Sequence, residues 1–83
     1  MINIKIKLDS VEEVIDLVKR TSKLTYDTNF TNGRCFVDAK SILGVLGSDF
    51  SEVCNLIILA DERDKNIDDF IDSIKDNIIS LEV

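Results

Sequence analysis

The first residues of the chain alternate between apolar and polar side chains. The apolar members are Ile2, Ile4, Ile6 and Leu8, and polar or charged residues stand between them. A period of two places successive side chains on opposite faces of an extended strand, and β-branched residues favour that conformation. We therefore predict a first strand with one buried face and one solvent-exposed face.

An amphipathic helix is predicted directly after this strand. Ser10 and Glu13 have the S-x-x-E spacing of a capping box, in which both side chains accept hydrogen bonds from free N–H groups of the first turn. Apolar residues then recur at the 3.6-residue period of a helix. They are Val11, Val14, Ile15 and Val18. Acidic residues precede basic ones along the segment, which is the order that the helix dipole favours.

Two strands joined by a tight turn are predicted next. Tyr26, Thr28 and Phe30 alternate with polar residues. Asn32-Gly33 is a strong signal for a two-residue hairpin turn. We predict that the third strand runs from Arg34 to about residue 38.

The segment 41–47 reads S-I-L-G-V-L-G and predicts a helix of about two turns. Ser41 is a favourable N-cap residue, and Gly47 is a favourable residue at which to stop. Gly44 inside the helix costs about 1 kcal/mol relative to alanine. We expect it to permit a close approach of another segment.

The second half of the chain predicts a central strand and a final helix. Residues 53–60 form a nearly continuous apolar run, which is typical of a well-covered strand. An acidic turn follows, and a helix is predicted from about Lys65 to Ile79. Its predicted buried face consists of Ile67, Phe70, Ile71, Ile74 and Ile78.

The predicted element order is β-α-β-β-α-β-α in a single domain of residues 1–83. The simplest arrangement is an α+β fold in two layers. One layer is a four-stranded, mostly antiparallel sheet. All three helices pack on one face of it, and the other face is solvated.

Composition removes several kinds of chemistry. The 83 residues include 16 acidic and 10 basic side chains, giving a net charge of -6, and no histidine. Imidazole-based catalysis is therefore excluded, and the acidic balance argues against nucleic-acid binding. The longest apolar runs are far below the ~18 residues of a membrane helix, so we expect no membrane and a cytoplasmic location. Cys35 and Cys54 are too few for a zinc site. We expect two half-buried thiols, a redox role being the alternative, and no metal or cofactor.

Residues 39–46 read A-K-S-I-L-G-V-L and carry a family resemblance. They resemble the regulatory-serine motif of HPr, the phosphocarrier protein of the bacterial sugar phosphotransferase system, which reads close to L-K-S-I-M-G-V-M. The element order and the Asn32-Gly33-Arg34 turn are also similar, over nearly the whole chain. The resemblance implies an open-faced β-sandwich with strand order 1-4-2-3.

One segment departs from the family pattern. Between the first strand and the first helix, the family has a loop close to G-I-H-A-R-P-A, whose histidine carries a phosphoryl group that the arginine steadies. Here the strand ends at Leu8 and the helix is capped at Ser10, with Asp9, Glu12 and Glu13 nearby. We predict a degenerate member that lacks the active-site histidine loop, cannot relay phosphate, has no catalytic residue and is not an enzyme.

Ser41 is the remaining candidate for chemistry. The resemblance implies phosphorylation of this serine by a dedicated serine kinase, and binding of the product to a transcription regulator. We predict that Lys40, Ile42, Leu43 and Leu46 form a partner-docking patch beside it. In the simpler interpretation, Ser41 is only a helix cap and the apolar residues belong to the core. We expect a regulatory, protein-binding monomer or weak dimer.

Two other classes of protein are alternatives to this one. A purely structural subunit, pairing through the open sheet face or an edge strand, stays an open alternative. An acyl carrier protein would need Asp-Ser-Leu at a helix start and an all-α fold. The nearest segment, residues 48–51, reads S-D-F-S, and three β-patterned segments contradict an all-α bundle.

Overall fold

The computed structural model describes residues 1–32 and 35–82. The elements are β1 (Ile2–Ile6), α1 (Val11–Thr21), β2 (Thr28–Thr31), β3 (Phe36–Asp38), α2 (Ile42–Leu46), β4 (Cys54–Ile58), α3 (Lys65–Ser73), a 3-10 turn (Lys75–Asn77) and β5 (Ile78–Glu82). Gly33 and Arg34 lie outside the described residues, and so does the predicted hairpin turn.

The strands form one antiparallel sheet in the order β3-β2-β4-β1-β5. Leu56 on the central strand β4 lies between Ile4 of β1 and Phe30 of β2, so these three side chains form a row on one face. All three are fully buried. The order of the first four strands, 1-4-2-3, is therefore confirmed.

A single hydrophobic cluster fills the space between the sheet and the helices. Its helical members include Val14 of α1, Val45 of α2 and Ile67 of α3. All three helices therefore cover the same face, as the binary pattern predicts. Val11, which was predicted on the buried stripe of α1, is instead 47% exposed, and Leu17 is buried.

The chain after Ser73 differs from the prediction. We predicted that the last helix continues to Ile79, but α3 ends at Ser73 and residues 78–82 form a fifth strand beside β1. The side-chain amide of Asn77 donates to the carbonyl oxygen of Lys7 at 3.0 Å, and the Lys7 N–H donates to the Asn77 carbonyl oxygen at 2.9 Å. These two bonds join the segment to β1, and the four-stranded prediction is therefore wrong.

The helical prediction at Ile78 failed because two periods coincide there. Ile78 is spaced four residues from Ile74, as on a helix face, but the following residues alternate as in a strand. In the structure Ile78 lies opposite Ile6 and packs against the core. Main-chain pairing with β1 therefore stabilises the strand in place of the helix.

The start of α3 is tied by Tyr26 to the segment that precedes β2. The Asp64 carboxylate caps α3 by accepting the Ile67 N–H at 2.8 Å, and it accepts the Tyr26 hydroxyl at 2.5 Å. The Tyr26 hydrogen bond, followed by the Ile67 bond, holds the pKa of Asp64 below its ordinary value. The same pair raises the pKa of Tyr26.

Replacing Tyr26 with phenylalanine should flatten the pH dependence of stability at both extremes. A lowered carboxylate pKa stabilises the fold above about pH 4, and this contribution disappears as the pH falls through the folded-state pKa. A raised phenol pKa stabilises the fold below about pH 10 and is lost above it. The melting temperature of Tyr26→Phe should therefore lie below wild type at pH 7 and approach it at both extremes. A constant difference across the range would contradict the assignment.

Candidate functional site

The helix α2 begins and ends where the sequence predicts. Ser41 caps its start, because its Oγ accepts the Gly44 N–H at 3.2 Å. At the other end, the Gly47 N–H donates to the Leu43 carbonyl oxygen at 2.9 Å. The helix is short, and these terminal bonds fix its bounds.

The inner side of α2 is held against β3 and the core. A Cβ atom added at Gly44 would lie 3.3 Å from the Cβ of Val37 on β3, which is tighter than ordinary packing. The predicted close approach at this glycine is therefore confirmed. Val45, the next residue, is fully buried.

The outer side of α2 presents apolar side chains to solvent. Leu43 is 81% exposed and Ile42 is 39% exposed. Leu46 is half-buried and packs against the core. Leu43 and Ile42 are thus the two most exposed members of the predicted patch.

Lys40 is adjacent to Ser41 in the sequence, but its ammonium group binds the chain that follows α1. Its Nζ donates to the carbonyl oxygen of Leu24 at 2.7 Å, just after the end of α1. The lysine therefore links the two helices and is half-buried. A charge placed at Ser41 would have to draw this ammonium group away from Leu24.

The electrostatic surroundings of Ser41 differ from those of the other two helix starts. The Ser41 side chain is half-buried, and the segment Ile42–Leu46 contains no acidic residue. By contrast, the first turn of α1 contains Glu12 and Glu13. The nearest described carboxylate in the chain before α2 is Asp38, which accepts the Lys40 N–H at 2.9 Å.

The connection between β1 and α1 is short and is held by side-chain hydrogen bonds. Ser10 Oγ accepts the Glu13 N–H at 3.1 Å, as predicted for the capping box. The Glu13 carboxylate accepts the Asp9 N–H at 2.8 Å, one residue before the cap, and also the Asn77 amide at 2.9 Å. Sequence reasoning missed Asn77, because a lone asparagine before an apolar run has no distinctive pattern.

This end of α1 is an unfavourable place for an anion. Carboxylates of Asp9, Glu12 and Glu13 lie in this segment. Two of its main-chain donors, the N–H groups of Asp9 and Glu13, are already bonded to the side chains of Glu13 and Ser10. Arg20 lies at the far end of the helix, roughly 15 Å along its axis. Its guanidinium is paired with Asp16 at 2.7 Å.

The two cysteines are free thiols. Cys54 is buried in β4, and burial raises the pKa of its thiol, which makes it a poor nucleophile. Cys35 is half-buried and lies just before β3, on the other side of β2 from β4. Two strand spacings, about 10 Å, separate such positions, and a disulfide requires Cα atoms within about 7 Å.

Among residues 1–32 and 35–82, no group of three or more His, Cys, Asp or Glu side chains is close enough to hold a metal ion. Within the same ranges, every helix falls short of the length and apolar character that a membrane span requires.

The comparisons with known proteins relate the chain to one fold. No protein-family model matches it, and no curated protein sequence matches it at a significant level. The crystal structure of HPr-C-His from Thermoanaerobacter tengcongensis is similar to it, with a TM-score of 0.67 and 24% sequence identity over 88% of each chain. The likeness shows that the chain has an HPr-like fold.

Proposed function

We propose that this HPr-like chain is a regulatory, protein-binding module that docks its partner through α2 and does not relay phosphoryl groups. Phosphorylation of Ser41 controls that docking. The observation that carries the proposal is the 81% exposure of Leu43 on the helix that Ser41 caps. The chain acts without catalysing a reaction, in the cytoplasm.

The apolar side of α2 supports docking because it combines exposure with rigidity. Burying Leu43 and Ile42 against a partner removes apolar area from water, which is favourable by about 25 cal/mol per Å². The helix does not have to be ordered on binding, since Val45 and Gly44 already fix it to the core. A preorganised apolar anchor loses less conformational entropy on association.

The position of Ser41 supports a phosphorylation switch. A phosphate on Oγ would face the free N–H groups at the start of α2 in a turn without acidic side chains. It would attract Lys40, which the Leu24 carbonyl now holds at 2.7 Å. The added negative charge lies directly beside Ile42, so it changes the docking surface itself.

The composition of the chain and the start of α1 support the loss of the phosphoryl relay. The sequence contains no histidine to carry a phosphoryl group. The start of α1, where the resemblance would place that histidine, is capped by Ser10 and surrounded by carboxylates. Partners of the module are therefore proteins that recognise α2, with a serine kinase and a transcription regulator as the classes that the resemblance implies.

A kinase assay tests the switch. We expect that an HPr serine kinase with ATP adds about 80 Da, one phosphoryl group, to the wild-type chain. Ser41→Ala should abolish the addition. Ser51→Ala is the matched control, because Ser51 is an exposed serine ten positions further along the chain, and it should be modified like wild type. Modification of Ser41→Ala, or none of wild type, would contradict the switch.

A further inference from the structure

A cleft lies between the end of α1 and one side of α3. Its apolar floor consists of Leu24, which follows α1, and Phe70 of α3, and each of them is only 5% exposed. Polar side chains from both helices line the rest of the cleft. They are Arg20, Lys23, Asn66, Asp69 and Ser73.

Lys23 supplies the uncompensated charge of this cleft. The Arg20 guanidinium is paired through its Nε with Asp16 at 2.7 Å. The Asp69 carboxylate is paired with Lys65 at 2.9 Å. The exposed Lys23 ammonium group, by contrast, has no hydrogen bond or ion pair with any residue that the structure describes. The lining therefore has a positive charge that an anion could neutralise.

This positive charge contrasts with the rest of the molecule. The chain has a net charge of -6, and acidic residues outnumber basic ones in three other clefts of the described surface. One of these clefts lies beside the start of α1, one lies beside Asp49 and Glu52, and one lies in the turn 60–64. Those clefts repel an anion, whereas the cleft at Lys23 attracts one.

We propose that this cleft binds a small aromatic carboxylate. The carboxylate pairs with Lys23 and with the amino groups of Arg20, because Asp16 engages only the Nε of that guanidinium. The ring packs on Leu24 and Phe70, where an aromatic pair adds to the gain from burial. Asn66 adds an uncharged amide donor on the α3 side.

The size of the cleft limits the ligand. Its volume is about 250 Å³, just below the roughly 300–1,000 Å³ of sites for drug-sized ligands. A single ring with one carboxylate, about ten non-hydrogen atoms, therefore suits it. An exposed ion pair is weak by itself, so the apolar floor has to supply most of the affinity and the charge selects among ligands of equal shape.

A nuclear magnetic resonance titration of the ¹⁵N-labelled chain with phenylacetate tests the site. We expect saturable shifts of the Leu24 and Phe70 amide signals, with a dissociation constant of about 1 mM. Phenylacetamide, which has nearly the same shape without the charge, should bind at least about fivefold more weakly. Acetate, which lacks the ring, should not saturate these shifts up to about 10 mM. No saturation with phenylacetate, or equal binding of phenylacetamide, would overturn the proposal.

Two lysine variants test the charge that the site uses. Lys23→Glu should weaken phenylacetate binding at least about fivefold, because repulsion replaces attraction. Lys19→Glu is the matched control, since Lys19 is an exposed lysine in the last turn of α1 that does not line the cleft. It changes the net charge equally and should bind within about twofold of wild type. An equal loss in both variants would overturn the site. Leu43→Asp should bind phenylacetate like wild type, which separates this result from that of the docking proposal.

Discussion

Truncating Val45 to alanine should lower the free energy of unfolding by about 2 kcal/mol, whereas truncating Leu43 should change it by less than about 0.5 kcal/mol. The two residues lie two positions apart on α2. Val45 is fully buried and Leu43 is 81% exposed. Removing the Val45 methyl groups leaves a cavity beside the core, while the Leu43 side chain makes few contacts that alanine would lose. Urea denaturation followed by circular dichroism measures both values.

Leu43 should matter more than Val45 when the interaction with a partner is measured instead of stability. Leu43→Asp should lower the efficiency with which the serine kinase modifies Ser41 at least about tenfold, because it places a charge in the docking surface. Val45→Ala should leave that efficiency near wild type at a temperature where the variant is folded. Leu59→Asp is the matched control, since Leu59 is another exposed leucine outside α2. An equal loss in the Leu59 variant would indicate a general charge effect and contradict docking through α2.

Most of the fold could be predicted from the sequence because local pattern and tertiary structure agree there. The alternation from Ile2 to Leu8, the cap at Ser10 and the bounds of α2 all correspond to observed elements. Each depends on residues within one turn or one strand of each other. Such signals are local, so they can be read without knowing the partner strand.

The fifth strand could not be predicted because its stabilisation is not local. The pairing of Asn77 with Lys7 joins residues seventy positions apart. Up to Ile78 the apolar spacing fits a helix, and only the alternation after it favours a strand. Pairing with the free edge of β1 favours the strand over the helix. No local pattern in the sequence reveals that edge.

The candidate site was predictable in part for the same reason. The caps at Ser41 and Gly47 are local features, and the structure has both. Exposure is not local, because residues 42–46 are uniformly apolar and any of them could face the core. The structure distinguishes Leu43 from Val45, and it shows that the Lys40 ammonium group binds the Leu24 carbonyl oxygen.

We expect that this chain cannot relay phosphoryl groups. Three of its features oppose the transfer. The chain has no histidine. Two main-chain donors at the start of α1, the N–H groups of Asp9 and Glu13, are occupied by the side chains of Glu13 and Ser10. The surrounding carboxylates would repel a phosphoryl dianion, by about 1 kcal/mol per charge pair at 4 Å in water and more where solvent is excluded.

The most direct measurement is incubation with phosphoenolpyruvate and the first enzyme of the phosphotransferase system, with an authentic HPr as the positive control. We expect rapid labelling of the control and no acid-labile phosphate on this chain by mass spectrometry. The chain should remain a substrate for the serine kinase in a parallel reaction. Acid-labile phosphate on this chain, formed in proportion to the enzyme, would contradict the central claim that it kept the HPr-like scaffold without the relay.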